Sequence, residues 1–152
     1  MSRIPGEPSA GRVLAIDYGR KRLGLALSDA LGVTARPLAT WSRSKRRQDM
    51  ARLRSLCREQ EIKQIVVGWP LQLSGSHGEM AAEAARFAER VHKELSIPVE
   101  LIDERLSSWE ARQALEESAG KARSRNRGQH ELDEVAAAVI LRDYLRRTSG
   151  TT

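Results

Sequence analysis

Three acidic positions in the chain stand where a fold could bring them together. Asp17 lies in the run Val13-Leu14-Ala15-Ile16-Asp17-Tyr18-Gly19, Asp103 and Glu104 follow Val99-Glu100-Leu101-Ile102, and Asp133 opens a stretch continued by Val135-Ala136-Ala137-Ala138. A carboxylate at the end of a buried strand is costly unless it meets a cation or a metal. Two strand ends and a helix start delivering carboxylates to one edge would make a set of hard oxygen donors suited to one or two Mg2+ or Mn2+ ions. Such a set points to metal-assisted work on phosphates. In a two-metal site the ions stand about 4 Å apart, one activating a water and the other stabilising the leaving oxygen of a phosphodiester. The plainer reading of Asp17 is a turn residue accepting backbone hydrogen bonds. Asp103 is equally a strand-end cap or a partner of Arg105. No Ser-His-Asp or Cys-His pairing competes for the chemistry.

The rest of the composition agrees with an anionic partner. The chain has 152 residues, of which 26 are Lys or Arg and 20 Asp or Glu, for a net charge of +6. A basic balance favours nucleic acid. The single cysteine, Cys57, excludes an intrachain disulfide and reads as a small helix-face residue in a reducing compartment. Cys/His spacing for structural zinc is absent. No apolar run approaches the ~18 residues of a membrane span, and no secretory leader is visible, so a cytoplasmic protein is expected.

The acids need elements to position them. Strands are predicted near 12–17, 22–28 and 34–40, the first two joined by a link short enough for antiparallel pairing. An amphipathic helix is predicted over 44–60, with Met50, Leu53, Leu56 and Cys57 inward and Arg46, Arg47, Arg52, Arg54 and Arg58 outward. Ile65-Val66-Val67-Gly68 reads as a central strand buried on both faces. A helix over 79–95, a strand over 99–102 and a helix from about 107 to 118 follow. Residues 119–130 read as a mobile basic loop, and 132–147 as the last helix. The first ten residues and 148–152 are expected to be flexible, with one domain over 11–147. The order implies an α/β fold: a mixed five-stranded sheet, three antiparallel strands and then parallel ones, with helices on both faces.

Four segments in this order resemble the YqgF/RuvX family of bacterial Holliday-junction resolvase-like proteins, also described as pre-16S ribosomal RNA nucleases. They are Asp17-Tyr18-Gly19-Arg20-Lys21-Arg22-Leu23-Gly24 with Ala26, Ser28 and Asp29; Ile65-Val66-Val67-Gly68-Trp69-Pro70-Leu71; Asp103-Glu104-Arg105-Leu106-Ser107-Ser108; and Leu132-Asp133-Glu134-Val135-Ala136-Ala137. The resemblance runs from about residue 12 to 146. It implies an RNase H-like fold, metal-dependent cleavage of phosphodiesters, and Asp17, Glu104 and Asp133 as catalytic, metal-binding acids. Two positions depart from the family pattern: Trp69 replaces a smaller aliphatic residue, and Glu134 stands where Lys is common.

Nucleic-acid contacts are expected from Lys21, from Arg105 (alternatively an ion pair that positions Glu104), and from Lys121, Arg123, Arg125 and Arg127, since basic loops order on phosphate. Arg22 reads either as a phosphate contact or as a solvated strand residue, and Trp69 as a packing residue or a base-stacking one. Precursor 16S ribosomal RNA is the leading substrate by resemblance. A branched DNA junction is the alternative, and its symmetric cleavage would need a homodimer rather than a monomer. A non-catalytic RNA-binding assembly factor is a further reading. The Asp17-x-Gly-x-x-x-x-Gly24 spacing also resembles the phosphate motif of actin-like and sugar-kinase ATPases. Those close two lobes over nucleotide, for which this chain is too short.

Overall fold

Leu14, Ile16 and Tyr18 point to one side of the first strand, and Ala15 and Asp17 to the other; this alternation organises the molecule. The structure, a computed structural model, describes residues 11–69, 77–102 and 128–149. Its elements are β1 (Arg12–Tyr18), β2 (Arg22–Ser28), β3 (Ala35–Ser42), α1 (Arg46–Glu59), β4 (Ile62–Gly68), α2 (His77–Leu95), β5 (Val99–Ile102) and α3 (Gly128–Ser149). The five strands form one sheet in the order β3-β2-β1-β4-β5. β1 pairs antiparallel with β2, and β2 with β3, while β1–β4 and β4–β5 are parallel. This is the mixed sheet of an RNase H-like fold.

The two faces differ in side-chain size. On one, Leu14, Ile16, Leu23, Leu25, Leu27, Ile65 and Val67 meet Met50, Leu53 and Cys57 of α1 and Met80, Ala84, Phe87 and Val91 of α2. Each large side chain so buried contributes roughly 1.5–3 kcal/mol. On the other, Ala15, Ala26, Val66 and Ile102 meet Ala137, Ala138, Ile140, Leu141 and Leu145 of α3. Small residues on both partners let α3 lie close to the sheet. Residues 135–141 are all buried, so this part of α3 is enclosed on every side rather than along the single stripe the sequence suggested.

β4 is an interior strand with Ile65, Val66 and Val67 all fully buried, as expected of a strand enclosed on both faces. β4 separates β5 from β1. One further expectation changes. The last helix begins at Gly128, four residues before the expected start and inside the predicted basic loop, and it runs on to Ser149. The helix expected over 107–118 and residues 119–127 of the loop lie outside the described residues, as do 1–10. Trp69 packs against the α1/α2 core, in keeping with its packing reading.

Candidate active site

One row of paired residues crosses the whole sheet: Thr40 on β3, Gly24 on β2, Asp17 on β1, Gly68 on β4 and Ile102 on β5. Directly paired residues share a face, and here it is the α3 face. Asp17 is thus flanked by two residues without side chains. It is 5% exposed, and its Oδ1 is buried.

Each glycine gives its space to α3. A Cβ at Gly24 would collide with the backbone carbonyl of Asp133 and crowd the amide nitrogen of Glu134 at 3.0 Å. A Cβ at Gly68 would stand 2.7 Å from Cδ1 of Ile140. So α3 rests on the Gly24 backbone at Asp133, one strand from Asp17, and Ile140 walls the other side with apolar atoms. Paired Cα atoms across such strands are about 5 Å apart. Glu134, the residue departing from the family pattern, accepts a long hydrogen bond of 3.5 Å from the Thr40 hydroxyl at the end of the same row.

Because α3 starts at Gly128, Asp133 lies in its second turn rather than its first. The favourable field of a helix N-terminus fades within the first turn. Its charge is met instead by Arg22, whose Nε donates to Asp133 Oδ2 at 2.7 Å, with the side chains 29% and 19% exposed. Arg22 is two residues from Gly24 on β2, and the period of two aims it at α3. That spacing was the signal available in the sequence.

The β1–β2 link is braced from the other face. Arg43 donates from its Nη1 to the Gly19 carbonyl at 2.9 Å and from its Nε to Asp49 Oδ2 at 3.0 Å, and its guanidinium lies over the rings of Tyr18 and Phe87. Asp49, 3% exposed in the first turn of α1, also accepts from the Ser44 amide at 3.0 Å. Arg20 forks onto Glu83 of α2, with contacts of 3.0 and 2.6 Å, and the hydrogen bond from Arg20 holds the Glu83 carboxyl below its ordinary range. These braces, which sequence reasoning missed, depend on which elements pack together. Lys21, between the two braced arginines, keeps an exposed side chain while its carbonyl accepts from the Arg43 amide at 2.8 Å.

Of the expected site residues, the structure places Asp17 on β1, the backbone of Asp133 in α3 against Gly24, the strand partner of Asp17, and Lys21 on the adjoining link. Glu104, Arg105, Lys121, Arg123, Arg125 and Arg127 lie outside the described residues. Among the described residues no group of three or more His, Cys, Asp or Glu side chains is arranged to hold a metal. No described helix is long and apolar enough to cross a membrane.

An RNase H-like sheet with an acid at the end of its middle strand, and a second acid brought over its neighbour by a helix, defines a class. The comparisons give the family within it. Residues 11–147 match the family profile "RuvX: Holliday junction resolvase", and the chain belongs to that family. It is 44% identical over 143 residues to a protein of Koribacter versatilis named "Putative pre-16S rRNA nuclease", covering 93% of this chain and 92% of that one. A protein of the same name from Syntrophus aciditrophicus is 42% identical over 134 residues, covering 88% and 87%. Among solved structures, Thermus thermophilus RuvC in complex with a Holliday junction substrate superposes with a TM-score of 0.59 at 17% identity, covering 93% of this chain and 98% of that one. The fowlpox virus Holliday junction resolvase gives 0.50 at 13%, covering 90% and 99%. At these identities the two likenesses speak for the fold.

Proposed function

We propose that this protein is a divalent-metal-dependent nuclease that hydrolyses phosphodiester bonds at the 5′ end of precursor 16S ribosomal RNA in the cytoplasm. The observation that carries the reading is the placement of Asp133 over Gly24, the direct strand partner of Asp17. Gly24 lets the α3 backbone at Asp133 rest beside the strand position of Asp17, whose side chain is almost fully buried. The names of the relatives favour RNA as substrate.

The donors fit Mg2+ or Mn2+, which take hard carboxylate oxygens. Asp17 and Asp133 would hold the ion, with Glu104 as the third acid. Bound there, the ion supplies positive charge for the phosphoryl oxygens and acidifies a water.

The protein's own groups do the rest. The β1 ladder fixes Asp17 from both sides. Ile140 keeps water from its flank, which strengthens electrostatic interactions there. Lys21 is the exposed cation beside the acids and takes a substrate phosphate. Arg105 and the basic residues Lys121, Arg123, Arg125 and Arg127 extend the contact along the nucleic-acid backbone.

The test is to incubate the protein with Mg2+ or Mn2+ and either a precursor 16S fragment or a four-way DNA junction. Cleavage of the RNA is expected. Symmetric cutting of the junction alone, by a dimer, would instead establish the resolvase reading.

A further inference from the structure

Four cations surround the β1–β2 link, and three have work elsewhere or none. Arg20 is forked onto Glu83, Arg43 is held by Asp49 and the Gly19 carbonyl, and Lys21 is exposed. Arg22 alone grips an acid of the candidate site, and it grips only one oxygen, Asp133 Oδ2. Among the described residues its Nε is the single guanidinium nitrogen engaged, which leaves donors of the rigid fork able to face a phosphate. Its backbone is fixed in the ladder opposite Ser42, so the side chain pivots from a fixed point.

A guanidinium and a divalent ion on one carboxylate repel each other. The ion therefore binds Asp133 at the expense of Arg22, while an anionic phosphate welcomes both. We propose that Arg22 is a hand-over residue: it holds Asp133 in place while the site is empty, yields that carboxylate to the incoming divalent ion, and turns its guanidinium to the substrate phosphodiester. The inference rests on the metal-dependent nuclease reading and adds a coupling to it, in which metal and phosphodiester strengthen each other's binding through one side chain. By linkage the coupling is reciprocal. Arg22 is thus a positioning residue for Asp133 and a contact for substrate.

The experiment measures Mn2+ affinity of the full chain by calorimetry, with Mn2+ alone and with Mn2+ plus millimolar dimethyl phosphate as the phosphodiester probe. Removing a unit charge about 5 Å from a divalent ion changes its affinity by roughly tenfold even in a water-like dielectric. Arg22→Gln should therefore bind Mn2+ alone roughly tenfold more tightly than wild type, an increase that loss of a merely structural ion pair would not give. The tightening that dimethyl phosphate brings to wild type should shrink in Arg22→Gln, and Arg22→Lys should keep wild-type affinity for Mn2+ alone. At saturating Mn2+, Arg22→Gln should still cleave RNA more slowly, with a raised KM. Should Arg22→Gln not fold, Arg22→Met, which keeps the aliphatic stem, carries the same expectations. Equal or weaker Mn2+ binding by the neutral variant overturns the proposal. A wild type that binds Mn2+ and never cuts nucleic acid would defeat the nuclease reading, a separate result.

Discussion

The backbone carbonyl of Asp133 fills the space that a side chain on Gly24 would occupy. Gly24 is the strand partner of Asp17, so one missing Cβ fixes how closely the helix-borne acid approaches the strand-borne one. The obstacle to a substitution there is rigid backbone. At Gly68, the strand partner of Asp17 on the other side, it is the tip of the flexible Ile140 side chain.

Gly24→Ala should therefore cost stability in the upper part of the roughly 1–3 kcal/mol range of overpacked cores, and it should reduce cleavage by displacing Asp133. Gly68→Ala should cost less, and Ile140→Val, which removes the colliding Cδ1, should partly restore it. Urea unfolding of the four variants, the double included, checks this. Equal costs at both glycines would mean that α3 does not rest on Gly24 as described.

Much of this arrangement was legible in the sequence, and the remainder has physical causes. The strand ending in Asp17, the β-branched run at 65–67 and the amphipathic helices follow from local periodicity, and the order of elements implied a mixed sheet. The strand order did not follow: pairing across the sheet is non-local, which is why β1 and β5 proved to be separated by β4. The start of α3 at Gly128 was hidden because Gln129, His130 and Glu131 follow a cation-rich stretch that resembles a loop. That error placed Asp133 in a first turn, where a helix N-terminus would satisfy it, and so concealed its need for Arg22. Asp49 was lost among the arginines of α1, where nothing local marks a carboxylate as buried.

The turn between β2 and β3 gives a pH-dependent test. Asp29 Oδ1 accepts from the amides of Val33 at 2.7 Å and Thr34 at 2.9 Å. The Thr34 bond is the main cause of a carboxyl pKa below its ordinary value. A carboxyl depressed in the folded state contributes stability that is complete above its unfolded pKa of about 3.9 and is lost as pH falls through the folded value. Asp29→Asn should melt below wild type at pH 7, and the gap should shrink as pH falls below the unfolded carboxyl pKa of about 3.9. A gap that persists unchanged at low pH would show that the carboxylate charge is not its source.

Cys57 offers a probe of α1 packing. The thiol is 5% exposed in the α1/α2 core, and burial pushes its pKa up to about 11. At pH 8 the folded protein should then hold on the order of one thiolate in a thousand, against about a quarter for a free cysteine. Labelling by a thiol reagent should be slow in buffer and fast in urea. Rapid labelling of the native protein would place α1 less firmly against the sheet.

The central claim is that Asp17 is a metal-holding carboxylate, and Asp17→Asn tests it most directly. The change keeps the shape of the side chain while removing its charge, so activity can be compared between folded proteins. The measurement is cleavage of a precursor 16S fragment in Mn2+ by wild type and by Asp17→Asn, purified side by side, with melting curves for both. The expected result is a loss of cleavage greater than ~100-fold in a folded variant. A folded Asp17→Asn protein that cuts at the wild-type rate would contradict the account.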